Sequence, residues 1–289
     1  MTVTTDLPGG TWMLGDTLVT RVGYGAMQLA GPGVMGPPSD HSAAVTVLRE
    51  AVAAGITHID TAEAYGPRVV NELIREALHP YADNLVIATK AGGRRDAQGG
   101  WPAARTPDQL RAQIDDNLET LGVERLGLVH LRLGDATGPA PEDIGEAFST
   151  LVDLQRQGLI RHLGVSNATA EQVAQAQSIA PIVSVQNMYN LANRWDDGLI
   201  DRLAADGVAY IPFFPLGGFS PLQSASLSAV AARVGATPMA VALAWLLHRS
   251  PNILLIPGTS STAHLRENIA GARVALSEDD LAELDRVGG

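Results

Sequence analysis

The sequence contains no cysteine. Disulfides, thiol nucleophiles and cysteine-ligated metal sites are therefore excluded. A chain without thiols suits a reducing compartment, and we expect a cytoplasmic protein.

Membrane and export signals are also missing. Residues 1–10 lack the basic segment followed by an apolar core that marks a signal peptide. No apolar run reaches the ~18 residues that a membrane-spanning helix needs, because Pro, Gly or a charged residue interrupts each run. We therefore expect no association with a membrane.

Positive charge is scarce. The chain has 20 Lys and Arg against 31 Asp and Glu, which gives a formal net charge of −11. This charge repels phosphate backbones and anionic lipid surfaces, so nucleic acid is not an expected partner. A pocket rich in N–H donors can still bind a small anionic cofactor. No stripe of residues indicates an oligomer interface, so no oligomeric state is predicted.

Two further patterns are absent. The seven histidines show neither H-x-x-x-H nor H-E-x-x-H spacing, so no metal site is predicted. Gly23-Tyr24-Gly25 matches the first half of the G-x-G-x-x-G fingerprint, but the residues that follow are Ala-Met-Gln-Leu, so the third glycine is missing. A Rossmann dinucleotide-binding domain is therefore not expected.

The sequence does contain a regular alternation of short apolar runs and longer segments with helical spacing. The runs are nearly continuous, as in parallel strands covered on both faces. Eight strands are predicted, at Val22–Gly25, Ile56–Asp60, Leu85–Lys90, Leu126–His130, Ile160–Ser166, Ile182–Gln186, Val208–Phe213 and Ile253–Pro257. Eight strand–helix units in 289 residues predict an α/β fold with one domain, residues 1–289, built as a (β/α)8 TIM barrel. Its active site would lie at the C-terminal face of the strands.

Helix starts and long loops fit the same plan. N-cap and capping-box patterns predict helix starts at Thr106, Thr169, Thr237 and Ser277. The loops Leu29–Ser39 and Ala91–Arg105 follow the first and third predicted strands. Long loops after barrel strands surround the active-site mouth, so we expect both to shape the substrate pocket.

Polar side chains end three consecutive predicted strands. These are Asp60, Lys90 and His130, and Tyr65 lies five residues past Asp60. An ammonium beside a phenol favours the phenolate, so Lys90, held by Asp60, is predicted to lower the pKa of Tyr65 and make it a general acid. A neutral His130 would orient a carbonyl oxygen. Each residue alone is consistent with an ion pair or with packing, whereas the four together favour catalysis.

The second half of the chain offers groups for a cofactor. Ser166, Asn167 and Gln186 suit hydrogen bonds with a carboxamide such as that of nicotinamide, and Phe213 suits stacking on its ring. The small residues of segment 256–261 open a helix, and their backbone N–H groups suit a phosphate.

Six segments carry a resemblance to a known family. They are Gly55–Gly66, Ala88–Lys90, Gly164–Asn167, Val185–Asn190, Phe214–Gly218, and Ile256–Ser261 with Glu267 and Asn268. On these segments the chain resembles the aldo-keto reductase family over nearly its full length. The resemblance implies an NADPH-dependent reduction of an aldehyde or ketone to an alcohol, with NADPH lying across the barrel mouth.

The resemblance also implies roles for single residues. Asp60, Tyr65, Lys90 and His130 would form a catalytic tetrad in which Tyr65 donates the proton. Residues implied to bind NADPH are Gly25, Met27, Ser166, Asn167, Gln186, Phe213, Phe214, Leu216, Gly217, Gly258, Thr259, Ser260, His264, Glu267 and Asn268. Gly217 would approach the pyrophosphate, and Glu267 and Asn268 would face the adenine.

A narrower similarity lies within the family. The segments Gly25–Gly33, Pro212–Phe219 and Ala242–Leu247 are most similar to bacterial pyridoxal reductases. This similarity implies that the substrate is pyridoxal, an aromatic aldehyde, and that the product is pyridoxine.

The chain departs from the family pattern at two places. Gly258 and His264 stand where many members have Lys and Arg that bind the 2′-phosphate of NADPH. Thr259, Ser260, His264 or Arg266 would then supply that contact. The segment 131–134 after His130 also differs from the common pattern.

Other functions remain open at this point. One is a general aldehyde reductase or a natural-product ketoreductase of the same family. Another is a nicotinamide-binding redox-sensor subunit with little turnover. A third is a Schiff-base aldolase with Lys90 as nucleophile, which requires a depressed pKa of Lys90.

Overall fold

The computed structural model describes residues 7–135, 138–215, 217 and 224–287. An antiparallel hairpin, β1 (Thr11–Leu14) and β2 (Thr17–Thr20), precedes a seven-stranded parallel sheet. The strands of the sheet follow one another in chain order. They are β3 (Tyr24–Gly25), β4 (His58–Asp60), β5 (Val86–Ala91), β6 (Leu126–Arg132), β7 (Ile160–Ser166), β8 (Ser184–Gln186) and β9 (Ala209–Tyr210).

The hairpin covers one end of the sheet interior. Leu14 and Val19 are buried in one apolar cluster with Val86 and Leu128 of the sheet. Val86 begins β5, whereas Lys90 lies near the end of the same strand. The hairpin and the polar strand ends therefore occupy opposite ends of the sheet.

Ten α-helices lie between and after the strands of the described ranges. They are α1 (His41–Ala53), α2 (Val69–Leu78), α3 (Pro107–Leu121), α4 (Gly145–Arg156), α5 (Ala170–Ile179), α6 (Asp197–Ala205), α7 (Ala225–Val234), α8 (Pro238–Arg249), α9 (Thr262–Gly271) and α10 (Glu278–Leu284). Each helix from α1 to α4 packs against the one that follows it, and α9 packs against α1. The helices therefore form a layer that curves around the sheet.

The four predicted helix starts are confirmed. Thr106 and Thr169 each complete a capping box with the Gln three residues later. Thr237 and Ser277 each accept a hydrogen bond from a backbone N–H of the first turn. Such caps satisfy backbone donors that the helix itself leaves unpaired.

The prediction of eight strands is confirmed for seven of them. The eighth run, Ile253–Pro257, does not form a continuous strand. It forms isolated parallel bridges, including one between Ile253 and Tyr210 and one between Leu255 and Val22. The N–H of Leu254 donates to the Tyr210 carbonyl at 2.9 Å, and the N–H of Leu255 donates to the Arg21 carbonyl at 2.8 Å. The segment thus bonds to both edges of the sheet, and a further parallel bridge joins Gly25 to Gly258, just past Pro257.

The two long loops contact each other. The loop after β3 contains the short 3-10 helix Pro32–Val34. Arg95, from the loop after β5, donates to the Gly33 carbonyl at 2.5 Å and to the Met35 sulfur at 3.3 Å. The guanidinium of Arg95 also lies 4.1 Å from the ring centroid of Trp101. Arg95 therefore links the loops that were predicted to shape the pocket.

Within the described ranges, no single helix has the length and apolar composition to cross a membrane, whereas α7 and α8, bent by 94° at their junction, meet both criteria as a pair. No group of three or more metal-ligating side chains lies together in the same ranges.

Candidate active site

Asp60 and Lys90 form a buried ion pair at the ends of adjacent strands. The Lys90 ammonium lies 2.6 Å from Oδ1 of Asp60 and donates a second hydrogen bond to the Thr61 carbonyl at 3.0 Å. Only 12% of the Lys90 side chain and 7% of the Asp60 side chain are exposed. Burial opposes the charge of Lys90, but the attraction of Asp60 and Tyr65 raises its pKa above the ordinary value. Lys90 therefore carries a proton, which disfavours the aldolase hypothesis.

Tyr65 follows β4 and is buried beside this pair. The Lys90 ammonium lies 5.2 Å from the centre of the Tyr65 ring. Burial raises the pKa of Tyr65, while the charges of Lys90 and Arg132 lower it and Asp60 raises it. The net direction is upward, so the predicted decrease of the Tyr65 pKa is wrong. Lys90 acts in the predicted direction, but it does not outweigh the loss of solvent around the phenol.

His130 lies one strand from Lys90 in a row that crosses the sheet. Lys90 pairs in register with His130, His130 with Gly164, and Gly164 with Ser184. The imidazole is fully buried, and its Nε2 lies 2.9 Å from the Ser184 hydroxyl. Nδ1 has no hydrogen-bond partner among the described residues. Burial lowers the pKa of His130 to about 4, so the ring is neutral at physiological pH.

Gly164 makes room for the His130 ring. A Cβ at this position would lie 2.7 Å from Cδ2 of His130 and 2.6 Å from the Ser184 carbonyl. Both distances are shorter than real Cβ contacts, so any side chain at Gly164 forces the row apart.

Gln186 joins the ion pair to the opposite side of the site. Its Nε2 donates to Oδ2 of Asp60 at 2.7 Å. Its Oε1 is buried, and no described residue donates to it. A buried amide oxygen without a donor is costly, so this atom can accept a hydrogen bond from a ligand N–H.

The other two predicted carboxamide ligands have different surroundings. Ser166 is fully buried, and its hydroxyl lies 3.5 Å from Nη1 of Arg132. Asn167 has a φ of 58°, and its Nδ2 donates to the carbonyls of Leu133 and Asp135 at 3.0 and 3.2 Å. The amide nitrogen of Asn167 is therefore already used to hold the segment after β6.

Two phenylalanines stand after β9. The rings of Phe213 and Phe214 meet edge to face with centroids 5.3 Å apart. The guanidinium carbon of Arg132 lies 5.3 Å from the Phe213 centroid. Gly217 has a φ of 91°, a conformation that favours glycine. The predicted cofactor residue Leu216 lies outside the described residues.

Gly25 and Gly258 approach each other closely. A Cβ on Gly25 would lie 2.5 Å from the Ile256 carbonyl, and a Cβ on Gly258 would lie 3.0 Å from the Gly25 carbonyl. Tyr24 also donates to the Thr259 carbonyl at 2.5 Å. These glycines are thus explained by the contact between β3 and the eighth predicted run. Met27, a further predicted cofactor residue, lies in a 3-10 helix directly after β3.

The remaining predicted cofactor residues lie in and before α9. Thr259 is buried, whereas Ser260, His264 and Glu267 are exposed and Asn268 is half-buried. Arg266 is paired with Glu50 of α1 at 2.5 Å.

Comparison with known proteins gives the family. The model of the Aldo/keto reductase family matches residues 21–288. This chain belongs to the aldo/keto reductase family. The predicted aldo-keto reductase activity and NADP(H) as cofactor are thereby confirmed at the level of the family.

Individual relatives share most of their length with this aldo/keto reductase. Pyridoxine 4-dehydrogenase of Escherichia coli (strain K12) is 58% identical over 283 residues, which cover 97% of this chain and 99% of that protein. An uncharacterized oxidoreductase, C215.11c, of Schizosaccharomyces pombe is 38% identical over 96% of this chain and 90% of its own length.

Solved structures are similar over the same extent. The thermostable aldo-keto reductase Tm1743, crystallised with the inhibitor epalrestat, has a TM-score of 0.82 and 31% identity, over 96% of this chain and 99% of that one. An aldo/keto reductase of Klebsiella pneumoniae, in complex with NADP and acetate, has a TM-score of 0.77 and 24% identity, over 97% and 96% of the two chains. At 24% identity the second likeness concerns the fold alone.

Three residues of this aldo/keto reductase site were not predicted. Ser184 contacts His130, Arg132 contacts Ser166, and Trp101 lies edge to face with Tyr65 at 6.3 Å. Side chains two residues apart on a strand lie on the same face. Ser184 could therefore have been predicted from its spacing to Gln186, and Arg132 from its spacing to His130. No sequence pattern predicts where the Trp101 side chain points, because this residue lies in a loop.

Proposed function

We propose that the chain reduces pyridoxal to pyridoxine with NADPH and that Tyr65 donates the proton. The observation that carries this mechanism is the buried series of contacts from Tyr65 to Lys90 to Asp60. The identity of 58% with a pyridoxine 4-dehydrogenase supports the substrate. We further infer that residues 253–258 close the barrel as its eighth strand, and that residues 1–289 act as one domain in the cytoplasm.

Tyr65 enters the reaction as a neutral acid. Because burial raises its pKa, the phenol keeps its proton at neutral pH until a stronger base appears. The alkoxide that forms from the carbonyl is such a base. The charged Lys90 then stabilises the phenolate that remains, and Asp60 keeps Lys90 charged and in place. NADPH, when bound, supplies the hydride for the carbonyl carbon.

His130 orients the carbonyl oxygen as a neutral imidazole. The ring has no exposed surface, and Nε2 contacts Ser184. We infer that the ring exchanges its bond with Ser184 for one with the substrate oxygen.

The residues present fit a nicotinamide cofactor. The unpartnered Oε1 of Gln186 suits the N–H of a carboxamide, and Ser166 and Asn167 lie on the neighbouring strand end. Phe213 offers its ring to the nicotinamide. Gly217 and Phe214 would approach the pyrophosphate. Around α9, Thr259, Ser260 and His264 would hold the 2′-phosphate, and Glu267 and Asn268 would face the adenine.

Substrate comparison tests this proposal. Purified enzyme is supplied with NADPH and with either pyridoxal or pyridine-4-carbaldehyde, and the alcohol formed is quantified by chromatography. We expect a kcat/KM for pyridoxal at least about tenfold above that for the plain aldehyde, which corresponds to about 1.4 kcal/mol of added transition-state binding. Reduction of the plain aldehyde alone would remove pyridoxal as the substrate. Binding of NADPH without reduction of either aldehyde would contradict the proposed reductase activity and favour a redox sensor.

A further inference from the structure

Arg132 places a cation at the end of β6, two residues beyond His130. The predicted strand ended at His130, whereas β6 continues to Arg132, which pairs in register with Ser166. Residues two apart on a strand point to the same side, so Arg132 follows His130 toward the strand ends that hold Tyr65 and Lys90. The predicted tetrad of Asp60, Tyr65, Lys90 and His130 does not include this side chain.

Among the described residues, the guanidinium of Arg132 makes two long hydrogen bonds and lies over the Phe213 ring at 5.3 Å from its centroid. It donates to the Ser166 hydroxyl at 3.5 Å and to the Asp135 carbonyl at 3.4 Å. Good hydrogen bonds of this type measure about 2.9 Å. The neighbouring Arg105 is bound more tightly, because it donates to the Gly134 carbonyl at 2.9 Å and pairs with Glu142 at 3.2 Å. Arg132 can therefore turn toward a stronger acceptor.

Arg132 is a buried cation that a negative group beside it would stabilise. Burial lowers the pKa of Arg132 below its usual value, and Arg105 acts in the same direction, while Tyr65 and Asp135 only partly oppose them. The charge of Arg132 in turn acts on Tyr65. Arg132 and Tyr65 therefore lie within electrostatic range of each other.

Trp101 adds a flat surface next to the proton donor. Its ring meets Tyr65 at an interplanar angle of 82° and a centroid distance of 6.3 Å, and 40% of the residue is exposed. Arg95 lies over the Trp101 ring and also donates a hydrogen bond to the Gly33 carbonyl in the loop after β3, so it fixes the indole in place. A fixed and partly exposed indole suits packing against an aromatic substrate.

We propose that Arg132 binds an ionised oxygen on the ring of the substrate, next to its aldehyde, while Trp101 packs against that ring. The enzyme is thereby selective for aromatic aldehydes with an ortho oxyanion. The 3-oxygen of pyridoxal, which lies beside the aldehyde and is ionised at neutral pH, belongs to this class. The inference rests on the proposed function for the reductase and for Tyr65, but it does not require pyridoxal to be the substrate.

A matched pair of aldehydes isolates the oxyanion. 2-Hydroxy-5-nitrobenzaldehyde is ionised at neutral pH because its nitro group acidifies the phenol, and 3-nitrobenzaldehyde is the same molecule without the oxygen. Both are reduced with NADPH by wild type, Arg132→Gln and Arg132→Lys, and the alcohols are quantified by chromatography. Arg94→Gln is the control, since Arg94 is a nearby arginine that pairs with Asp116 at 2.8 Å.

The expected result is selective loss. In Arg132→Gln the kcat/KM for the phenolate aldehyde falls by about 30-fold or more, mainly through KM, because a charge-assisted hydrogen bond is lost. The neutral aldehyde changes by less than about threefold, Arg132→Lys recovers part of the loss, and Arg94→Gln keeps the wild-type ratio. In wild type the preference also disappears below the pKa of the substrate phenol.

Two results would overturn the inference. An equal loss on both aldehydes would mean that Arg132 only adjusts Tyr65 or supports the fold. Failure of wild type to reduce the phenolate aldehyde would exclude this substrate class. Failure of pyridoxal alone, with the selective loss intact, would reject pyridoxal as the substrate and leave the role of Arg132 supported.

Discussion

Asp60 uses its two carboxylate oxygens for two different partners. Oδ1 accepts from Lys90 at 2.6 Å, and Oδ2 accepts from Gln186 at 2.7 Å. Lys90 leads to Tyr65, the proposed proton donor, and Gln186 leads to the proposed nicotinamide side. One buried carboxylate therefore fixes the position of the proposed proton-transfer groups relative to the proposed cofactor groups.

Loss of this carboxylate charge is predicted to affect both stability and rate. Asp60→Asn leaves the buried Lys90 without its counter-charge, which costs about 3 kcal/mol of unfolding free energy. We also expect kcat/KM to fall by about 100-fold, because Lys90 no longer stabilises the phenolate. Urea unfolding and steady-state kinetics measure the two effects.

The matched control for this substitution is Asp16→Asn. Asp16 pairs with Arg161 at 2.7 Å, but its side chain is 59% exposed. A change of less than about 1 kcal/mol is expected there. Equal destabilisation by the two substitutions would contradict a special role for the buried pair.

The unpartnered oxygen of Gln186 is predicted to contribute to cofactor affinity. Gln186→Met keeps the length of the side chain but removes the acceptor together with the bond to Asp60, so the Kd for NADPH should rise by about tenfold, or about 1.4 kcal/mol. Quenching of tryptophan fluorescence on titration with NADPH measures this Kd. Asn252 is the control, because its Oδ1 is also buried without a partner among the described residues. Its Nδ2 donates to the Val208 carbonyl just before β9, so this residue lies at the start of that strand and not at the polar strand ends. If Asn252→Leu weakens NADPH as much as Gln186→Met does, the assignment of Gln186 is wrong.

Two buried histidines predict a loss of stability in mild acid. Burial lowers the pKa of both His58 and His130 to about 4, whereas an unfolded histidine titrates near about 6.5. As pH falls, the unfolded chain takes up these protons first. Their contribution is therefore complete above about pH 6.5 and is lost between about pH 6.5 and pH 4, at up to about 1.4 kcal/mol per pH unit for each ring.

Substitution of one histidine isolates its contribution to the pH dependence of the unfolding free energy. The slope of unfolding free energy against pH, from urea titrations between pH 6 and pH 4.5, should be smaller in His58→Gln than in wild type by up to about 1.4 kcal/mol per pH unit. His130→Gln should give a similar reduction. An unchanged slope in both variants would show that the two rings are not kept neutral by burial.

The row from Lys90 to Ser184 is predicted to tolerate no side chain at Gly164. Gly164→Ala would push against His130 and the Ser184 backbone, and we expect a loss of about 1–3 kcal/mol together with a lower kcat. Gly198→Ala is the control, because a Cβ at Gly198 in α6 meets nothing within 4 Å. That substitution should leave stability equal or about 0.5–1 kcal/mol higher. A harmless Gly164→Ala would contradict the tight contact.

The fold was predictable because its signals are local and repeated. Capping at Thr106 and Thr169 and seven of eight apolar runs were predicted from spacing alone. The eighth run, Ile253–Pro257, differs because its pairing is limited to single bridges with Tyr210 and Val22, and sequence does not contain that geometry.

The site was predictable in its residues and less so in its energetics. Strand ends placed Asp60 and Lys90 together correctly. The direction of the Tyr65 pKa was missed, because the extent of burial depends on Trp101 and other residues from distant loops. Arg132 was missed because apolar spacing predicted the end of β6 two residues too early.

The central claim is that Tyr65 is the proton donor, and Tyr65→Phe tests it most directly. The kcat/KM for pyridoxal and the Kd for NADPH are measured for wild type and for this variant, which loses only the hydroxyl. We expect kcat/KM to fall by at least about 100-fold while the Kd for NADPH stays within about threefold of the wild-type value. A variant that retains most of its kcat/KM with unchanged NADPH binding would contradict the account.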